Sequence, residues 1–374
     1  MSSLNTQIIT ETEGFRALRE EWTDLLHSNS DSRIFVSWEW MYTWWLHLAG
    51  KRKLHIITVR QDDLLIAIAP LVLCPAQIRR LIAFPVLEFL GSGHVGSDYL
   101  SFLIRKGYEP QAQRELADSL TGSRRMLELV RISSTSPTMA SMKTCFQSTG
   151  WQLASRTTNC SPYVKLSGLT WESYLDSLSP SHVKYFKRKV RKLNRDFSVE
   201  FEKCRSEQQR QQDMSMFVRL HLASWAKRGG STALHQQKLV DFHQAFSSIC
   251  LERGWLGLYT LKLNGTPAAS IYLFKYGNVV SYYQMALNTD FSKYSVGLII
   301  LGESIRKAIE AGAEEFDLLH GNEAYKYRWA HDQRELVRFE LYPPRVKGKV
   351  YHGFMLANSG AKRLIRNVNT FLQP

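Results

Sequence analysis

Two stretches of the chain show the same alternation of apolar and polar residues. The first, LHIITVRQDDLLIAIAPLVL, covers residues 54–73, and the second, LGLYTLKLNGTPAASIYLFK, covers residues 256–275, 202 positions later (256 minus 54). Each has an apolar run, a polar turn and a second apolar run, and the turn is Asp62-Asp63 in one and Asn264-Gly265 in the other. Asn-Gly between apolar runs is a strong β-hairpin signal, and Asp-Asp is a weaker one. The pattern therefore predicts two hairpins.

An aromatic-rich stretch of helical character precedes each predicted hairpin. Residues 38–50, WEWMYTWWLHLAG, end at Gly50, a suitable C-cap, and residues 214–230 end at Gly229-Gly230. A helix followed by a hairpin, occurring twice, predicts two structurally related lobes. Chance resemblance is the alternative, because all hairpins alternate apolar residues.

The second half of the chain continues with a regular succession of elements. The predicted elements are a strand at 278–287, a helix at 295–312, a strand at 314–319, a polar loop that begins at His320, and a strand at 335–342. The first half contains strand-like runs of the same kind, LEFL, SDYLSFLI and RMLELVRI. This order predicts an α/β fold with mixed sheets in two lobes, which we divide into residues 1–170 and 171–374.

The composition is that of a foldable globular protein with an excess of positive charge. Of 374 residues, 44% are hydrophobic and 22% are charged, which excludes a mainly disordered chain. The net charge of +14 suits nucleic acid, an anionic membrane surface or phosphorylated substrates, without choosing among them. The cysteines are widely spaced and form no C-x-x-C motif, so we expect buried reduced thiols at Cys74, Cys145, Cys160, Cys204 and Cys250.

The sequence contains no segment typical of secretion or membrane insertion. The first residues, MSSLNTQIITETEGF, lack a basic region followed by an apolar core, so no signal peptide is predicted. The longest apolar run, residues 64–74, is interrupted by Pro70 and is far shorter than the ~20 residues of a membrane helix. We expect a cytoplasmic protein without stable membrane insertion, with peripheral association at the inner membrane as an alternative.

Familiar short motifs are absent or incomplete. GSGHVG at residues 91–96 matches G-x-G-x-x-G, but a strand-like run follows where a dinucleotide site needs a helix, so we expect a glycine-rich turn on a cleft wall. His94 and Asp98 could touch a substrate there. There is no Walker A, H-E-x-x-H or G-x-S-x-G sequence, and the histidines show no metal-like pairing, so no metal is predicted.

Residues 182–197, HVKYFKRKVRKLNRDF, predict a basic amphipathic helix. Phe186, Val190, Leu193 and Phe197 fall on one helical face, and seven lysines and arginines surround it. The plain interpretation is a surface helix with a solvated basic face. The alternative is that the helix binds phosphate groups or an anionic polymer.

The strand–loop–helix YYQMALNTDFSKYSVGLII, residues 282–300, predicts a phosphate site. Backbone N–H groups at a helix amino terminus are unpaired and lie at the positive end of the helix dipole, so they bind phosphate. Lys293 adds charge, and Gly297 permits close backbone approach. The alternative is an ordinary core helix capped by Ser295.

A dense group of chemically capable side chains follows the strand at 314–319. The loop HGNEAYKYRWA holds a histidine, a glutamate, two tyrosines, a lysine and an arginine within a few positions. Trp329 at its end is expected to lie in the aromatic core. If the loop forms a short helix, Tyr325 and Lys326 lie on different faces and one of them only packs. A surface turn whose basic residues pair with nearby aspartates is the alternative.

The order of these elements resembles the GNAT acyltransferase fold, and two such lobes side by side resemble the FemABX-type branch. The second half is most similar to the domain called BioF2-like or CelD/BcsL-like acetyltransferase, associated with exopolysaccharide and cellulose production. The resemblance is carried by LEFLGSGHVGSDYLSFLI, FVRLHLASWAKRGG and the stretch from residue 282 to 330, and it is stronger in the second lobe. GNAT proteins hold the CoA pyrophosphate on a Q/R-x-x-G-x-G/A turn, of which residues 293–298, KYSVGL, retain only part.

The resemblance implies acyl transfer from acyl-CoA, here acetyl-CoA, to an amine or hydroxyl of a saccharide or saccharide-linked acceptor. Two neighbouring parallel strands, SYYQMAL and EEFDLL, would separate to admit the acyl arm. The loop would supply the chemistry: His320 or Glu323 accepts a proton, Tyr325 donates one, and Lys326 or Arg328 holds phosphate or the oxyanion. The alternatives are a FemABX-type aminoacyltransferase that uses charged tRNA and a non-catalytic anion-binding module of a polysaccharide-synthesis assembly.

The complete set of expected site residues follows from these considerations. The expected catalytic residues are Tyr325, Glu323, His320 and Lys326. The expected cofactor contacts are Gln284, Asn288, Lys293, Tyr294, Ser295 and Gly297. The expected substrate contacts are Trp225, Arg328, Asp317, His94, Asp98 and Tyr99.

Overall fold

The computed structural model describes residues 3–29, 32–75, 85–226, 234 and 236–344. Its α-helices are α1 Thr12–Ala17, α2 Arg19–His27, α3 Trp38–Leu48, α4 Glu109–Gly122, α5 Pro137–Ser148, α6 Trp171–Ser177, α7 Pro180–Asp196, α8 Glu207–Ala226, α9 Gln237–Glu252 and α10 Val296–Glu310. Its strands are β1 Leu4–Ile9, β2 Lys53–Gln61, β3 Leu64–Cys74, β4 Val86–Phe89, β5 Leu103–Ile104, β6 Met126–Ser133, β7 Gln152–Lys165, β8 Val199–Lys203, β9 Leu256–Leu263, β10 Thr266–Tyr276, β11 Val279–Leu287, β12 Glu315–Asp317 and β13 Asp332–Tyr342. Short 3-10 helices cover Ile34–Val36, Thr289–Tyr294 and Lys326–Arg328.

The described strands form one mixed sheet with two matching halves. Its order is β1-β2-β3-β4-β6-β13-β7-β12-β11-β10-β9-β8, with β5 beside β3. From either end the first three pairings are antiparallel, the fourth is parallel and the fifth is antiparallel. Each parallel pair is connected by a helix, α4 between β4 and β6 and α10 between β11 and β12. The repeated helix–hairpin pattern of the sequence is therefore a repeated lobe.

The repeat holds at the level of single residues. The bounds of β3 and β10 differ by 202 positions at both ends (266 minus 64 and 276 minus 74), the offset found in the sequence. Both hairpins carry a β-bulge with one extra residue, Ile66 in β3 and Ala268 in β10, again 202 positions apart (268 minus 66). A bulge adds local twist to a strand, so the two hairpins bend at the same place.

The two halves exchange their last strands. β13, from the end of the chain's described part, lies between β6 and β7, and β7 in turn pairs with β12 of the second half. The predicted division at residue 170 falls between β7 and α6. Helix α6 begins there with a capping box, in which the Thr170 and Ser173 side chains each accept the other residue's backbone N–H.

Alternate residues of the second half-sheet point into two separate cores. Ile271 and Leu273 pack with α7 and α10, whereas Tyr272 and Phe274 pack with α8 and α9 on the opposite face. The ring centroid of Trp40 in α3 lies 4.9 and 4.8 Å from those of Phe242 and Phe246 in α9. The core under α8 and α9 is therefore continuous with the core of the first half. Period-2 alternation along each strand produces this division.

Two predictions about individual elements were incomplete or wrong. The helix predicted at 214–230 is α8, whose predicted end at Gly230 lies outside the described residues, and α9, which the sequence analysis missed, intervenes before the second hairpin. The strand predicted from Ser97 is wrong up to Phe102, and only Leu103–Ile104 is extended and paired. Tyr99 has a φ of 57°, in the left-handed rather than the extended region, and the Ser97 hydroxyl donates to the Gly91 carbonyl at 2.7 Å.

The cysteine prediction is met in part. All five cysteines are free thiols; Cys74, Cys204 and Cys250 are buried, whereas Cys145 and Cys160 are partly exposed. No described helix combines the length and apolar character needed to cross a membrane. The described residues also contain no group of three or more His, Cys, Asp or Glu side chains placed to hold a metal ion.

Candidate functional site

The parallel strands β11 and β12 separate after a short pairing. Their register covers three residue pairs and ends at Ser281 and Asp317, yet β11 continues to Leu287. Beyond this point the edge of β11 faces a gap that is bordered by the loop after β12. The sequence predicted this separation for the strands SYYQMAL and EEFDLL, and the structure confirms that they are neighbouring and parallel.

A bulge lies in β11 at the same point. β10 pairs Tyr272 with Gln284 and Leu273 with Tyr282, which leaves Tyr283 as the extra residue of β11. Tyr282 belongs to the core under α10, whereas Tyr283 packs against the core under α8 and α9, as alternate strand residues do. Bulges are common next to active sites.

A cavity of about 610 Å³ lies beside the gap, on the face of Tyr282. Its wall is built from the end of β11, the amino terminus of α10, the end of α8 and the loop after β12. Of the predicted site residues it brings together Trp225, Gln284, Asn288, Ser295, Gly297, Glu323, Tyr325 and Arg328. Eight residues expected from four separate parts of the sequence thus share one cavity.

The amino terminus of α10 reaches the cavity because Gly297 has no side chain. A Cβ at this position would lie 3.2 Å from the Met285 sulfur and 3.3 Å from both methyl carbons of Leu287, so the helix packs closely on β11. The first N–H groups of an α-helix have no partner within the helix. Ser295 precedes them with φ 60° and ψ 42° and makes no side-chain cap; its hydroxyl lies 3.2 Å from that of Tyr185.

Not all predicted cofactor contacts line this cavity. Asn288 does, and it also fixes the turn, because its side chain accepts the Asp290 N–H and donates to the Pro267 carbonyl. Lys293 is exposed and lies outside the lining, and its carbonyl accepts a hydrogen bond from Lys189 at 3.0 Å. Tyr294 is buried against Phe197, with ring centroids 4.9 Å apart, and thus faces α7.

Helix α7 brings positive charge to the rim of the cavity. Its predicted apolar face is confirmed, with Phe186 and Leu193 buried. Its basic residues point outward, and Lys184, Lys187, Arg188, Arg191 and Arg195 are exposed. Tyr185 of this helix lines the cavity, and its pKa is lowered by the hydrogen bond with Ser295 and by nearby Lys189. An anion at the cavity mouth would meet this charge.

Tyr325 and Tyr282 form a pair across the gap. Their hydroxyl oxygens lie 3.2 Å apart, and 39% of the Tyr325 side chain is exposed, on the cavity side. Burial raises the pKa of Tyr325 to about 12 and that of Tyr282 well above its usual value. Both phenols therefore stay protonated near neutral pH and can donate a hydrogen bond or a proton into the gap.

Lys326 holds the loop together from inside. It begins the short helix Lys326–Arg328, is only 4% exposed, and donates from Nζ to the carbonyls of Leu319 at 3.2 Å and His320 at 2.7 Å. Glu323 lies 3.2 Å from the same ammonium, and burial lowers the Lys326 pKa. Gly321, with φ 135°, leaves the room for this pair, because a Cβ there would lie 2.0 Å from the Glu323 carboxylate.

The remaining predicted substrate contacts lie away from the cavity. Asp98 is fully buried and contacts His320, and Tyr99 is 5% exposed with the Arg33 guanidinium 5.2 Å from its ring centre. Asp317 is fully buried; one oxygen accepts the Leu319 N–H at 2.8 Å, and burial raises its pKa to about 6. His94 is exposed in the glycine-rich turn.

Several residues that line the cavity were not singled out in the sequence. Tyr282, Tyr185 and Met285 are among them, since the bulge and the packing of α7 on α10 are not visible in a local pattern. Trp329 is 1% exposed and packs on Phe186, with ring centroids 5.4 Å apart, which confirms its core position, although it also forms part of the cavity wall.

Comparisons with known proteins agree with this geometry. Residues 180–327 match the family model described as an acetyltransferase (GNAT) domain. No curated protein matches the chain in sequence. Among solved structures the chain is similar to FemX, with 12% identity and a TM-score of 0.65 over 91% of this chain and 97% of FemX.

Two further solved structures share the fold. One is the C-terminal domain (DUF2156) of a putative lysylphosphatidylglycerol synthetase from Agrobacterium fabrum, with 11% identity and a TM-score of 0.54 over 92% of this chain and 96% of that one. The other is L-PGS from Bacillus licheniformis, with 10% identity and a TM-score of 0.51 over the same shares. With the repeated lobe and the family match, they show that residues 180–327 form a GNAT domain within a tandem GNAT fold of the FemX type.

Proposed function

We propose that this chain is an acyltransferase that moves an acyl group from acyl-CoA to an amine or hydroxyl of a saccharide or saccharide-linked acceptor. The proposal rests on one observation, the gap between β11 and β12 that opens beside the amino terminus of α10. An acyl thioester can enter this gap and align its carbonyl with the exposed edge of β11. The phosphates of the donor would then lie near the unpaired N–H groups of α10.

The charge around the cavity suits a donor that carries phosphate. The first turn of α10 contains no acidic residue, and Lys293 precedes it. Arg328 lines the cavity and makes no ion pair with any described residue. Such an arginine can bind a phosphate or carboxylate group through two parallel hydrogen bonds.

The chemistry is direct transfer without a covalent enzyme intermediate. The acceptor nitrogen or oxygen attacks the acyl carbon and loses its proton, the carbon–sulfur bond breaks, and the leaving thiolate takes up a proton. Tyr325 supplies that proton, because its phenol is protonated, partly exposed and at the cavity wall. Positioning of the two substrates supplies most of the rate, and proton transfer adds about 10²–10⁴-fold.

The roles of the two lobes differ in this proposal. The lobe of residues 171–374 binds the donor, and the lobe of residues 1–170 faces the acceptor through the turn at residues 91–96. A role in exopolysaccharide, cellulose or cell-envelope biosynthesis follows from the CelD/BcsL-like resemblance of the sequence. It places the protein in the cytoplasm or at the inner face of the membrane.

Aminoacyl-tRNA is the alternative donor. The exposed basic residues of α7 next to the cavity favour it, because a row of lysines and arginines suits a nucleic-acid backbone. A third function, a non-catalytic anion-binding module, is supported by the incomplete pyrophosphate sequence at residues 293–298.

Calorimetry with acetyl-CoA and with bulk tRNA, each at two salt concentrations, separates these functions. We expect acetyl-CoA to bind and to release free CoA in the presence of an amino sugar such as glucosamine. Binding of tRNA with a steep salt dependence and no binding of acetyl-CoA would replace acyl-CoA by aminoacyl-tRNA as the donor. Binding of acetyl-CoA without CoA release with any amine or hydroxyl acceptor would favour the non-catalytic module.

A further inference from the structure

A buried carboxylate of the first lobe holds a histidine of the second. Asp98 Oδ2 accepts the backbone N–H of His320 at 2.8 Å and lies 3.0 Å from its ring Nδ1. Asp98 itself is fully buried, and its other oxygen lies 3.4 Å from the Arg131 guanidinium. Two bonds to one oxygen fix both the backbone and the ring of His320.

This contact selects the tautomer of the imidazole. A carboxylate can only accept hydrogen bonds, so in the neutral imidazole Nδ1 carries the proton and Nε2 keeps its lone pair. Among the described residues no group bonds to Nε2, and the His320 side chain is 29% exposed. A neutral histidine held in this way has the arrangement of a general base whose orientation is set by a third group.

The histidine lies at the gap, on the face opposite the donor cavity. His320 does not line that cavity, and Leu319 before it belongs to the core under α8 and α9. A Cβ added to Gly96 would lie 3.7 Å from His320 Cε1 and 3.8 Å from the Tyr283 hydroxyl oxygen. The glycine-rich turn, His320 and Tyr283 are therefore neighbours, on the side of the gap away from the donor cavity.

The other candidate base is committed to the loop. Glu323 is paired with the buried ammonium of Lys326, which also holds two loop carbonyls. Glu323 also lines the donor cavity, beside Tyr325. Proton removal from an acceptor that arrives on the opposite face therefore falls to His320.

We propose that Asp98 positions His320 so that its Nε2 takes the proton of the acceptor, a step that rests on the proposed acyl transfer. The acceptor N–H or O–H bond breaks as the new bond to the acyl carbon forms, and the proton moves to Nε2. The carbon–sulfur bond then breaks, the thiolate takes the Tyr325 proton, and solvent restores both groups. The site is thus complete only when both lobes are present.

The test compares Asp98→Leu and His320→Gln with Arg131→Gln, which removes the other partner of Asp98. Leucine has nearly the shape of aspartate but accepts no hydrogen bond, so both the His320 N–H and its ring Nδ1–H lose their partner. With acetyl-CoA and glucosamine we expect kcat to fall by about 10²–10⁴-fold in both dyad variants. The KM for acetyl-CoA should stay within about twofold, and Arg131→Gln should keep its kcat.

A second readout does not depend on turnover. The ¹⁵N shifts of the His320 ring should report Nδ1–H in the unmodified protein, and this signature should be lost in Asp98→Leu. An Nε2–H ring in the unmodified protein, or an unchanged kcat in Asp98→Leu, would overturn the proposal. Failure of the unmodified protein to bind acetyl-CoA in calorimetry would instead count against the proposed donor, and the ring tautomer would still decide the role of Asp98.

Discussion

The two lobes contain the same parallel strand pair and connecting helix, but the helices begin differently. In the first lobe α4 follows β4 and has Glu109 in its first turn, where the carboxylate accepts the Gly107 N–H at 2.8 Å. In the second lobe α10 has no acidic residue in its first turn and opens on a cavity. A carboxylate at a helix amino terminus occupies the place in which an anionic ligand would bind.

The parallel strand pairs of the two lobes also differ in whether the space after the pairing is filled or open. Both parallel pairings cover three residues, but the chain after β4 stays close to the sheet, where Leu100 donates its N–H to the Arg131 carbonyl of β6. Leu100 and Phe102 are buried there. In the second lobe the corresponding gap borders the cavity. One fold thus yields a closed parallel strand pair and an open one, and in the proposed function the open pair binds the donor.

Removal of the Tyr325 hydroxyl should have the largest effect on the open lobe. We expect Tyr325→Phe to lower kcat by about 10²-fold, because the proton donor at the gap is lost. The melting temperature should not change, since the hydroxyl contacts only that of Tyr282 among the described residues. Steady-state kinetics and thermal unfolding check both expectations.

The matched control is Tyr327→Phe in the same loop. Tyr327 is 42% exposed, and its hydroxyl bonds to Gln333 and Asn322, away from the cavity. This variant should keep its kcat. An equal loss in both variants would mean that the loop responds to any change, and that Tyr325 has no particular role.

Lys326 should matter for the stability of the loop more than for binding. We expect Lys326→Met to lower the free energy of unfolding by about 1–3 kcal/mol, because two loop carbonyls lose their buried donor. Urea unfolding measures this change. Normal stability with a lost affinity for CoA would show that the lysine binds the donor.

A new acidic residue at the amino terminus of α10 tests the difference between the two lobes. Ser295→Asp places a carboxylate at α10 as Glu109 does at α4, and we expect the affinity for CoA to fall about tenfold. Aspartate tolerates the left-handed backbone of this position better than most residues, so the helix should remain intact. Calorimetry with CoA measures the change.

Two controls accompany this substitution. Ser295→Asn has nearly the same shape without the charge and should bind CoA like the unmodified protein. Glu109→Gln removes the acid of the closed lobe and should leave CoA affinity unchanged. A loss of CoA affinity in Glu109→Gln would indicate that the donor binds the first lobe, contrary to the proposal.

The last prediction concerns the pH dependence of stability and the acidic residue that ends each parallel pairing. Glu128 of β6 is paired with Arg338 at 3.0 Å, whereas Asp317 of β12 is fully buried with the Arg334 guanidinium 3.9 Å away. Burial raises the Asp317 pKa to about 6 from its usual 3.8, so the native state binds the proton more tightly than the unfolded chain. This contribution to stability is present below pH 4 and is lost as the pH rises through 6.

Substitution by asparagine should reveal this loss. The side-chain amide in Asp317→Asn can still accept the Leu319 N–H and does not titrate, so the variant should gain stability relative to the unmodified protein between pH 4 and 7. Thermal unfolding across this range measures the difference. A constant difference across the range would show that the proton bound to Asp317 does not contribute.

The sequence predicted what depends on local pattern. Both hairpins, α10 and the apolar face of α7 lie where the alternation and helical spacing placed them, because each element buries one face. The short helix at Lys326–Arg328 also leaves Tyr325 exposed and Lys326 buried, so the two side chains lie on different faces as expected. The exchange of β7 and β13 has no local signal, since it joins segments far apart in the chain.

The same limit applies to the site. Asp98 was expected to contact the substrate and His320 to accept a proton. The two residues are 222 positions apart, and only the fold brings them into contact. Lys326 was expected to hold phosphate or act in catalysis, since a sequence does not distinguish a free lysine from one that bonds loop carbonyls. Tyr294 and Tyr99 were named for their neighbours in sequence, yet packing directs both rings away from the cavity.

Hydrogen–deuterium exchange with and without acetyl-CoA tests the difference between the lobes most directly. We expect acetyl-CoA to slow exchange in residues 289–300, at the start of α10, and to leave exchange in residues 105–115, at the start of α4, unchanged. Protection at the start of α4, or at neither helix under conditions in which acetyl-CoA binds, would contradict donor binding at α10.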